Sequence, residues 1–272
     1  MKVLTFAMLK GGTGKSSVAF NIAGTRAMMN PEERYLLIDF DMQGNLTNFC
    51  GIESYEKVGK DSSDMLLGNV SPEEIVVKGA IEGCSNVDLI PSSFNLFRNE
   101  VKLNNANAKE YKLERLLTKY KTFFEQYDYI IIDTNPSLSI FNLNVFYVTD
   151  VMINVLKNNC ISSLKAYEMG SGLWAEIKDD LGKVKKEITY LIINMDDNRS
   201  NTAKQFKEYI YSIEDLEEFV LKSKIRSSVI FPDSILENKT AYMYDGKHKG
   251  SEDVLNVIRE MEQKKIFDKE EI

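Results

Sequence analysis

Short apolar runs alternate along this chain with longer amphipathic stretches. Several runs are apolar throughout and rich in β-branched residues, which is typical of strands covered by helices on both faces. The intervening stretches repeat apolar residues at helical spacing, as do Val254, Val257, Ile258 and Met261 near the end of the sequence. The alternation predicts an α/β fold with a doubly wound, mainly parallel sheet that binds ligands at the carboxyl ends of its strands.

The same pattern gives approximate bounds for each element. Strands are predicted at Lys2–Leu9, Tyr35–Phe40, Val87–Ile90, Tyr127–Asp133, Val151–Leu156 and Ile188–Asn194. Helices are predicted at Lys15–Met29, Ser71–Lys78, Asn95–Glu125, Ile161–Leu181, Thr202–Ser212 and Asp253–Lys265.

Composition narrows the class of protein. The 272 residues are 43% hydrophobic and 28% charged, and no linker-like or repeated stretch interrupts them, so we expect a single domain over residues 1–272. Three scattered cysteines and one histidine, His248, make a poor zinc set, and we expect His248 to be an exposed loop residue without a catalytic partner. Without a signal-like or membrane-spanning apolar run, the sequence predicts a cytoplasmic protein. A net charge of −7 argues against a surface that is basic throughout, although a local basic patch remains compatible with it.

A glycine-rich turn between the first strand and the first helix carries the most specific chemistry. Residues 10–17 are Lys-Gly-Gly-Thr-Gly-Lys-Ser-Ser. Glycines let backbone N–H groups surround phosphates, and the helix N-terminus adds its positive dipole end. Lys15 would reach the β- and γ-phosphates, and the Ser16 hydroxyl would bind Mg²⁺. Leu9 replaces the first glycine of the usual P-loop, and a second lysine, Lys10, stands at the entrance. The turn predicts nucleotide binding, because an incidental surface turn does not explain the strand before it and the helix after it.

Aspartates at two other strand ends complete this site. Asp39 and Asp133 each follow a run of apolar strand residues, and Asp41 lies two residues beyond Asp39. One such aspartate is equally consistent with a turn or a helix cap. Two of them downstream of a phosphate-binding turn favour a metal site, with Asp39 and Asp133 supporting Mg²⁺. Asp41 is the candidate for polarising the attacking water, and the reverse assignment of Asp39 and Asp41 stays open.

With these residues in place, the chain resembles the ParA family of partition ATPases, the deviant-Walker-A or MinD/ParA group of P-loop NTPases. The resemblance rests on residues 10–17, on Leu36–Thr47 and on Tyr127–Asp133 followed by Pro136–Leu138, with weaker matches at Leu89–Ser92 and Tyr244–Ser251. It covers nearly the whole chain. Met42 and Asn135 replace prolines that are usual in the family, which puts the loop shape in question but removes no ligand.

The resemblance implies ATP and Mg²⁺ as ligands and a homodimer that forms around two ATP molecules. Lys10 would reach the phosphates of the partner's ATP and act with Lys15 and Asp41 in hydrolysis. The other implied nucleotide contacts are Gly11, Gly12, Thr13, Gly14, Ser16 and Ser17, the last of them near the α-phosphate, and Asn194, Asp196 and Asp197 near adenine.

The resemblance also implies non-specific DNA binding in the ATP state, hence nucleoid association, and a ParB-like partner that stimulates hydrolysis. Arg199 matches a basic position linked to DNA binding, and Arg226 is the one arginine kept where relatives often have two. Lys222 and Lys224, together with Lys183, Lys185 and Lys186, are further candidates for a basic patch, with a solvated face as the alternative. Because the P-loop begins at residue 10, we expect the small type of ParA protein, without an N-terminal helix-turn-helix domain.

Three other functions compete with partition. A MinD-like membrane ATPase requires a basic amphipathic C-terminal helix, but residues 250–272 contain seven acids and four bases. An iron-protein reductase would bridge a cluster with Cys84 and Cys160, and nothing around these cysteines supports one. A tyrosine-kinase relative would carry terminal tyrosines, and none follows Tyr244. The sequence therefore favours an ATP-dependent DNA partition switch that does not bind membranes.

Overall fold

A parallel sheet runs through the centre of the molecule. The computed structural model describes residues 1–53, 59–158, 160–183, 187–197, 199–214 and 216–268. Within them, six strands form one sheet in the order β3-β2-β4-β1-β5-β6, and every paired neighbour is parallel. The strands are β1 (Lys2–Ala7), β2 (Tyr35–Phe40), β3 (Val87–Ile90), β4 (Tyr129–Thr134), β5 (Val151–Lys157) and β6 (Ile188–Asn194). All six predicted strands are confirmed, with ends that differ by at most two residues.

Helices cover both faces of this sheet, as the apolar runs predict. The longer helices are α1 (Lys15–Met29), α5 (Asn95–Asn104), α6 (Lys112–Lys119), α8 (Ile140–Val148), α9 (Ile161–Asp180), α10 (Asn201–Ser212) and α13 (Lys249–Gln263). Leu4 and Phe6 of β1 pack in one core with α1 and α13, whereas Val3 and Ala7 face a second core with α6 and α8. The alternation of β1 side chains between two buried faces is the arrangement of a doubly wound sheet.

Two predicted helices are shorter than expected. The stretch Ser71–Lys78 is helical only over α4 (Pro72–Ile75), because Val77 exchanges two backbone hydrogen bonds with Leu89 and extends the edge of the sheet. The stretch Asn95–Glu125 divides into α5, a 3₁₀ turn at Lys109–Tyr111, α6 and α7 (Lys121–Phe124). Ala108, with φ of 47°, reverses the chain direction before that turn.

Five helices are missing from the sequence prediction. Helix α8 is apolar nearly all round, so it shows no stripe, and its start is fixed by the Ser139 hydroxyl, which accepts from the Asn142 amide at 3.3 Å. The others are too short for a periodic pattern: α2 (Asn45–Phe49), α3 (Ser62–Leu67), α11 (Ile230–Leu236) and α12 (Ala241–Tyr244). Among the described residues, none of the helices combines the length and hydrophobicity that a bilayer crossing requires.

Candidate functional site

The turn between β1 and α1 has the backbone of a phosphate cradle. Gly12 and Gly14 have φ values of 73° and 86°, a left-handed conformation that favours glycine. Gly14 is also the N-cap of α1, and no side chain caps this helix, so its first N–H groups stay available. Lys15 is only 6% exposed and points its charge at the neighbouring carboxylates. The arrangement fits an anion at the helix N-terminus.

Asn194, at the end of β6, holds the P-loop from the side. Its Nδ2 atom donates to the carbonyl oxygen of Thr13 at 2.8 Å, and its side chain is buried. A Cβ atom at Gly14 would collide with the same Nδ2 atom, so this contact requires glycine at position 14. Asn194, which the resemblance assigns to the adenine border, therefore also braces the phosphate-binding turn.

Lys10 lies at the loop entrance, near the start of α9. Burial raises the pKa of the Cys160 thiol, but hydrogen bonds from Ser162 and Ser163 and the charges of Lys10 and Lys157 lower it overall. The side chain of Lys10 is partly exposed, in contrast to that of Lys15. The two lysines of the loop thus have different environments, one buried beside carboxylates and one near the surface.

Asp39 and Asp133 lie side by side at the carboxyl ends of β2 and β4. They are register partners, and both are fully buried. Asp39 accepts from the amide and hydroxyl of Thr47 at 2.9 and 2.8 Å and from the amide of Asp41 at 3.0 Å. These bonds make Asp39 the anchor of the loop that carries Asp41. Its support of Mg²⁺ stays a prediction.

Asp133 has the opposite environment. Neither of its carboxylate oxygens has a hydrogen-bond partner among the described residues. Burial raises its pKa, the nearby charge of Asp39 raises it further, and the Lys15 ammonium and the nearby Ser16 hydroxyl oppose both effects. A buried carboxylate with open oxygens beside a P-loop fits the outer shell of a magnesium ion.

The environment of Asp41 is intermediate between those of Asp39 and Asp133. It is 5% exposed, and its Oδ1 atom accepts from the amide of Gln43 at 3.0 Å. Burial raises its pKa, whereas the hydrogen bond from Gln43 and the charge of Lys15 lower it. The Ser92 hydroxyl donates to the Asp41 carbonyl and fixes the loop from the side of β3. Asp41 is thus held at the site with its Oδ2 atom available.

Asn135, in the loop after β4, replaces a proline that is usual in the family. Its Oδ1 atom accepts from Ser137 at 2.8 Å, and its Nδ2 atom donates to Ser139 at 3.1 Å. Asn142 donates to its carbonyl oxygen at 2.9 Å. Hydrogen bonds therefore define the shape of this loop in place of the proline ring.

A cavity of about 150 Å³ opens beside the start of α1, and we call it the base cavity because it is the candidate site for adenine. Its walls include Ser17, Asn194, Met195, Ile225, Phe231 and Pro232. Of the three residues expected near adenine, only Asn194 lines this cavity. The apolar walls from residues 225–232 have no sequence signal, because they come from a distant segment that packs against the end of β6.

The candidate DNA-binding residues come together in a neighbouring open cleft of about 530 Å³, which we call the Arg226 cleft. Its lining consists of Asp196, Asp197, Arg199, Lys222, Lys224, Arg226, Ser227 and Asp253. Asp196 and Asp197 line this cleft and not the base cavity, and their contact with adenine stays a prediction. All four predicted cations are present, but they share the cleft with three carboxylates.

Of the other lysines proposed for this patch, Lys183 does not line the cleft. Lys183 is 3% exposed and pairs with Glu187 at 3.0 Å, so it is a buried structural residue. Lys185 and Lys186 lie outside the described residues. His248 also differs from expectation: it is partly buried and caps α13, its Nδ1 atom accepting from the Gly250 amide at 2.9 Å.

Comparison with known proteins agrees with this geometry. A family model described as an AAA domain matches residues 1–178. A virulence plasmid ParA family protein of Chlamydia psittaci is 28% identical over 273 residues, covering 98% of this chain and 97% of the relative. This chain belongs to the ParA family of partition ATPases. The sporulation initiation inhibitor Soj of Bacillus subtilis is 27% identical over 266 residues, with 96% and 98% covered.

A solved structure supports the fold of this ParA-family member. A plasmid partition protein of Borrelia burgdorferi B31, solved with AMPPNP bound, is 25% identical, has a TM-score of 0.76 and covers 97% of this chain and 99% of its own.

In the present chain, Cys84 is buried and its Sγ atom lies 3.5 Å from the carbonyl oxygen of Gly24. This packing leaves Cys84 unable to bridge a cluster at a subunit surface, as the iron-protein alternative requires.

Proposed function

We propose that this protein is an ATP-dependent switch for partition of a plasmid or chromosome, a cytoplasmic ATPase that associates with the nucleoid when ATP is bound. The observation that carries the proposal is the open carboxylate of Asp133 beside Lys15 and the glycine cradle. Such a set suits a magnesium nucleotide and has no evident use in a purely structural turn.

The residues divide the work of hydrolysis. The backbone of residues 11–16 and Lys15 would hold the β- and γ-phosphates, and Ser16 and Asp133 would hold Mg²⁺, which neutralises charge on the phosphate oxygens when bound. Asp41 would orient the attacking water through its open Oδ2 atom. Asp39 positions Asp41 through the Asp41 amide and the Thr47 bonds. We therefore propose Asp41 as the residue that orients the water and Asp39 as the residue that supports it.

Lys10 would act across a homodimer. Its surface location permits contact with the phosphates of a second subunit, where a positive charge supplied in trans stabilises the transition state. Hydrolysis would then depend on the dimer, and a ParB-like partner would act by stimulating it.

The Arg226 cleft is the proposed DNA-binding surface. It gathers Arg199, Lys222, Lys224 and Arg226 on one side of the molecule, and clustered cations favour phosphate backbones over any particular base sequence. The MinD-like membrane alternative needs an exposed apolar stripe on the C-terminal helix, whereas the apolar stripe of α13 is fully buried in the core.

The proposal is tested by ATP turnover with and without duplex DNA and a candidate ParB-like partner. We expect Lys15→Ala to lose ATP binding, and Lys10→Ala to bind ATP but remain at the basal rate when the partner is added. Wild-type protein with ATP and Mg²⁺ should be retained on duplex DNA of arbitrary sequence in a salt-sensitive manner. Partner-stimulated turnover by Lys10→Ala would refute the trans role, and absence of DNA retention would refute the partition function.

A further inference from the structure

In the Arg226 cleft, the carboxylate of Asp253 forms an ion pair with Arg226. The Arg226 Nε and Nη2 atoms lie 2.5 and 2.8 Å from the Oδ2 and Oδ1 atoms of Asp253, and the Arg226 amide also donates to Oδ2 at 3.0 Å. This bidentate geometry is the one a guanidinium uses to bind a phosphate. Asp253 therefore stands where a DNA phosphate would bind.

Carboxylates of the cleft also neutralise two other cations, Arg199 in the cleft itself and Lys207 beside it. Arg199 pairs with Asp197 at 2.9 Å, and Lys207 pairs with Asp196 at 2.8 Å. The Arg226–Asp253 pair is the more enclosed of the two arginine pairs: the Arg226 side chain is 40% exposed against 91% for Arg199. The cleft therefore holds fewer free positive charges than its cations suggest.

The backbone around Arg226 is fixed, so only its guanidinium is free to change partners. The Ile225 amide donates to the Ile193 carbonyl at 3.0 Å, and the Ser227 amide donates to the Asp196 carbonyl at 3.0 Å. Both bonds tie the segment to the end of β6. An exchange of Asp253 for a phosphate thus needs rotation of one side chain and no rearrangement of the cleft.

We propose that Asp253 is a built-in competitor for DNA phosphates, which holds Arg226 and limits the affinity of the cleft for DNA. This inference rests on the proposed function, since it concerns the same surface. Phosphate binding replaces the carboxylate and leaves the negative charge of Asp253 beside a negative backbone, so each binding event is weakened. The pair sets DNA affinity low enough for release.

The test is the isosteric substitution Asp253→Asn in the full chain. The amide oxygen of asparagine still accepts from the Arg226 amide, so the backbone contact is kept while the charge is removed. With ATP and Mg²⁺ and a fluorescent duplex of arbitrary sequence, we expect about two- to fivefold tighter binding, the range that release of a partly exposed ion pair permits. The slope of log affinity against log salt should steepen by about 0.9 if Arg226 gains one phosphate contact.

Matched variants separate the local effect from a change in net charge. Glu32→Gln removes one negative charge at an exposed position near the amino end of β2, which lies four strands away from β6 in the sheet. Asp253→Glu keeps the charge and should keep wild-type affinity. In an Arg226→Ala background, Asp253→Asn should give no more than the gain of Glu32→Gln.

The outcomes are distinct. Tighter DNA binding by Asp253→Asn, without an equal gain in Glu32→Gln, supports the inference, provided that the melting temperature of Asp253→Asn shows a folded protein. Wild-type DNA binding with no gain in Asp253→Asn over Glu32→Gln overturns the inference and leaves the proposed function intact. If Asp253→Asn does not fold, tighter binding by Asp253→Glu at wild-type stability contradicts the competitor role in the same way. No DNA binding by wild type or any variant overturns the proposed function and the inference together.

Discussion

Substitution of Asn194 tests how the phosphate-binding turn is held. The Asn194 side chain is buried, and its Nδ2 atom donates to the Thr13 carbonyl at 2.8 Å. Asn194→Ala leaves that carbonyl without this donor, and an unsatisfied buried polar group costs about 1–3 kcal/mol. For a chain of this size, we expect the melting temperature of the nucleotide-free protein to fall by about 2–12 °C.

The assay compares thermal unfolding of wild type, Asn194→Ala and a control, Asn201→Ala. Asn201 is exposed at the start of α10 and should change stability little. Calorimetric titration with ATP, ADP and GTP then separates two roles. If Asn194 acts through the P-loop, affinity for all three nucleotides falls together, because they share the phosphates that this turn binds.

The opposite result has a clear form. A melting temperature equal to that of wild type, combined with a loss of preference for ATP over GTP, would refute the role of Asn194 in holding the loop. It would assign Asn194 to the base alone, as the family resemblance implies.

Three further substitutions test other parts of the molecule. Gly14→Ala should abolish ATP binding in a titration, because its Cβ collides with Asn194 in a left-handed backbone; tight binding would contradict the cradle geometry. Burial raises the folded-state pKa of Asp133, so the folded protein keeps this proton where the unfolded chain loses it, and stability falls as pH rises from about 3.8 toward the folded value. Asp133→Asn should make this fall shallower in nucleotide-free melts at several pH values, and an unchanged profile would refute the assignment. Lys183→Ala should cost about 3 kcal/mol by denaturant unfolding, because it leaves Glu187 buried without its closest cation, yet leave the salt dependence of DNA binding unchanged; a shallower salt slope would place Lys183 at the DNA surface.

The sheet could be predicted from sequence because its strands are apolar on both faces. In β2, Leu36 and Ile38 pack on one side and Tyr35 and Leu37 on the other, so the run contrasts with the amphipathic helices around it. Helix α8 could not be predicted in this way, since it is buried nearly all round. Its identity as a helix depends on the Ser139 cap and on tertiary packing.

The candidate site divides in the same way. The P-loop and the aspartates were predictable because parallel strands bring their carboxyl ends to one edge. The base cavity was not, because its walls depend on how residues 225–232 pack against β6. The pairing of Arg226 with Asp253 joins positions 27 residues apart on different elements, and charge patterning along the chain carries no signal for it.

Folding alone leaves the three carboxylates at this edge of the sheet with too few hydrogen bonds and too little positive charge to offset their burial. Burial raises the pKa of Asp39 to about 7, although three hydrogen bonds oppose this effect, and Gln43 and Lys15 likewise oppose the effect of burial at Asp41 only in part. Asp133 has the charge of Lys15 and the nearby Ser16 hydroxyl to offset full burial beside Asp39. A divalent cation would therefore gain most at Asp133 and would relieve the repulsion among all three carboxylates. Because Lys15 is also the residue proposed to bind the phosphates, we expect binding of metal and nucleotide to reinforce each other and the nucleotide-bound state to be the more stable one.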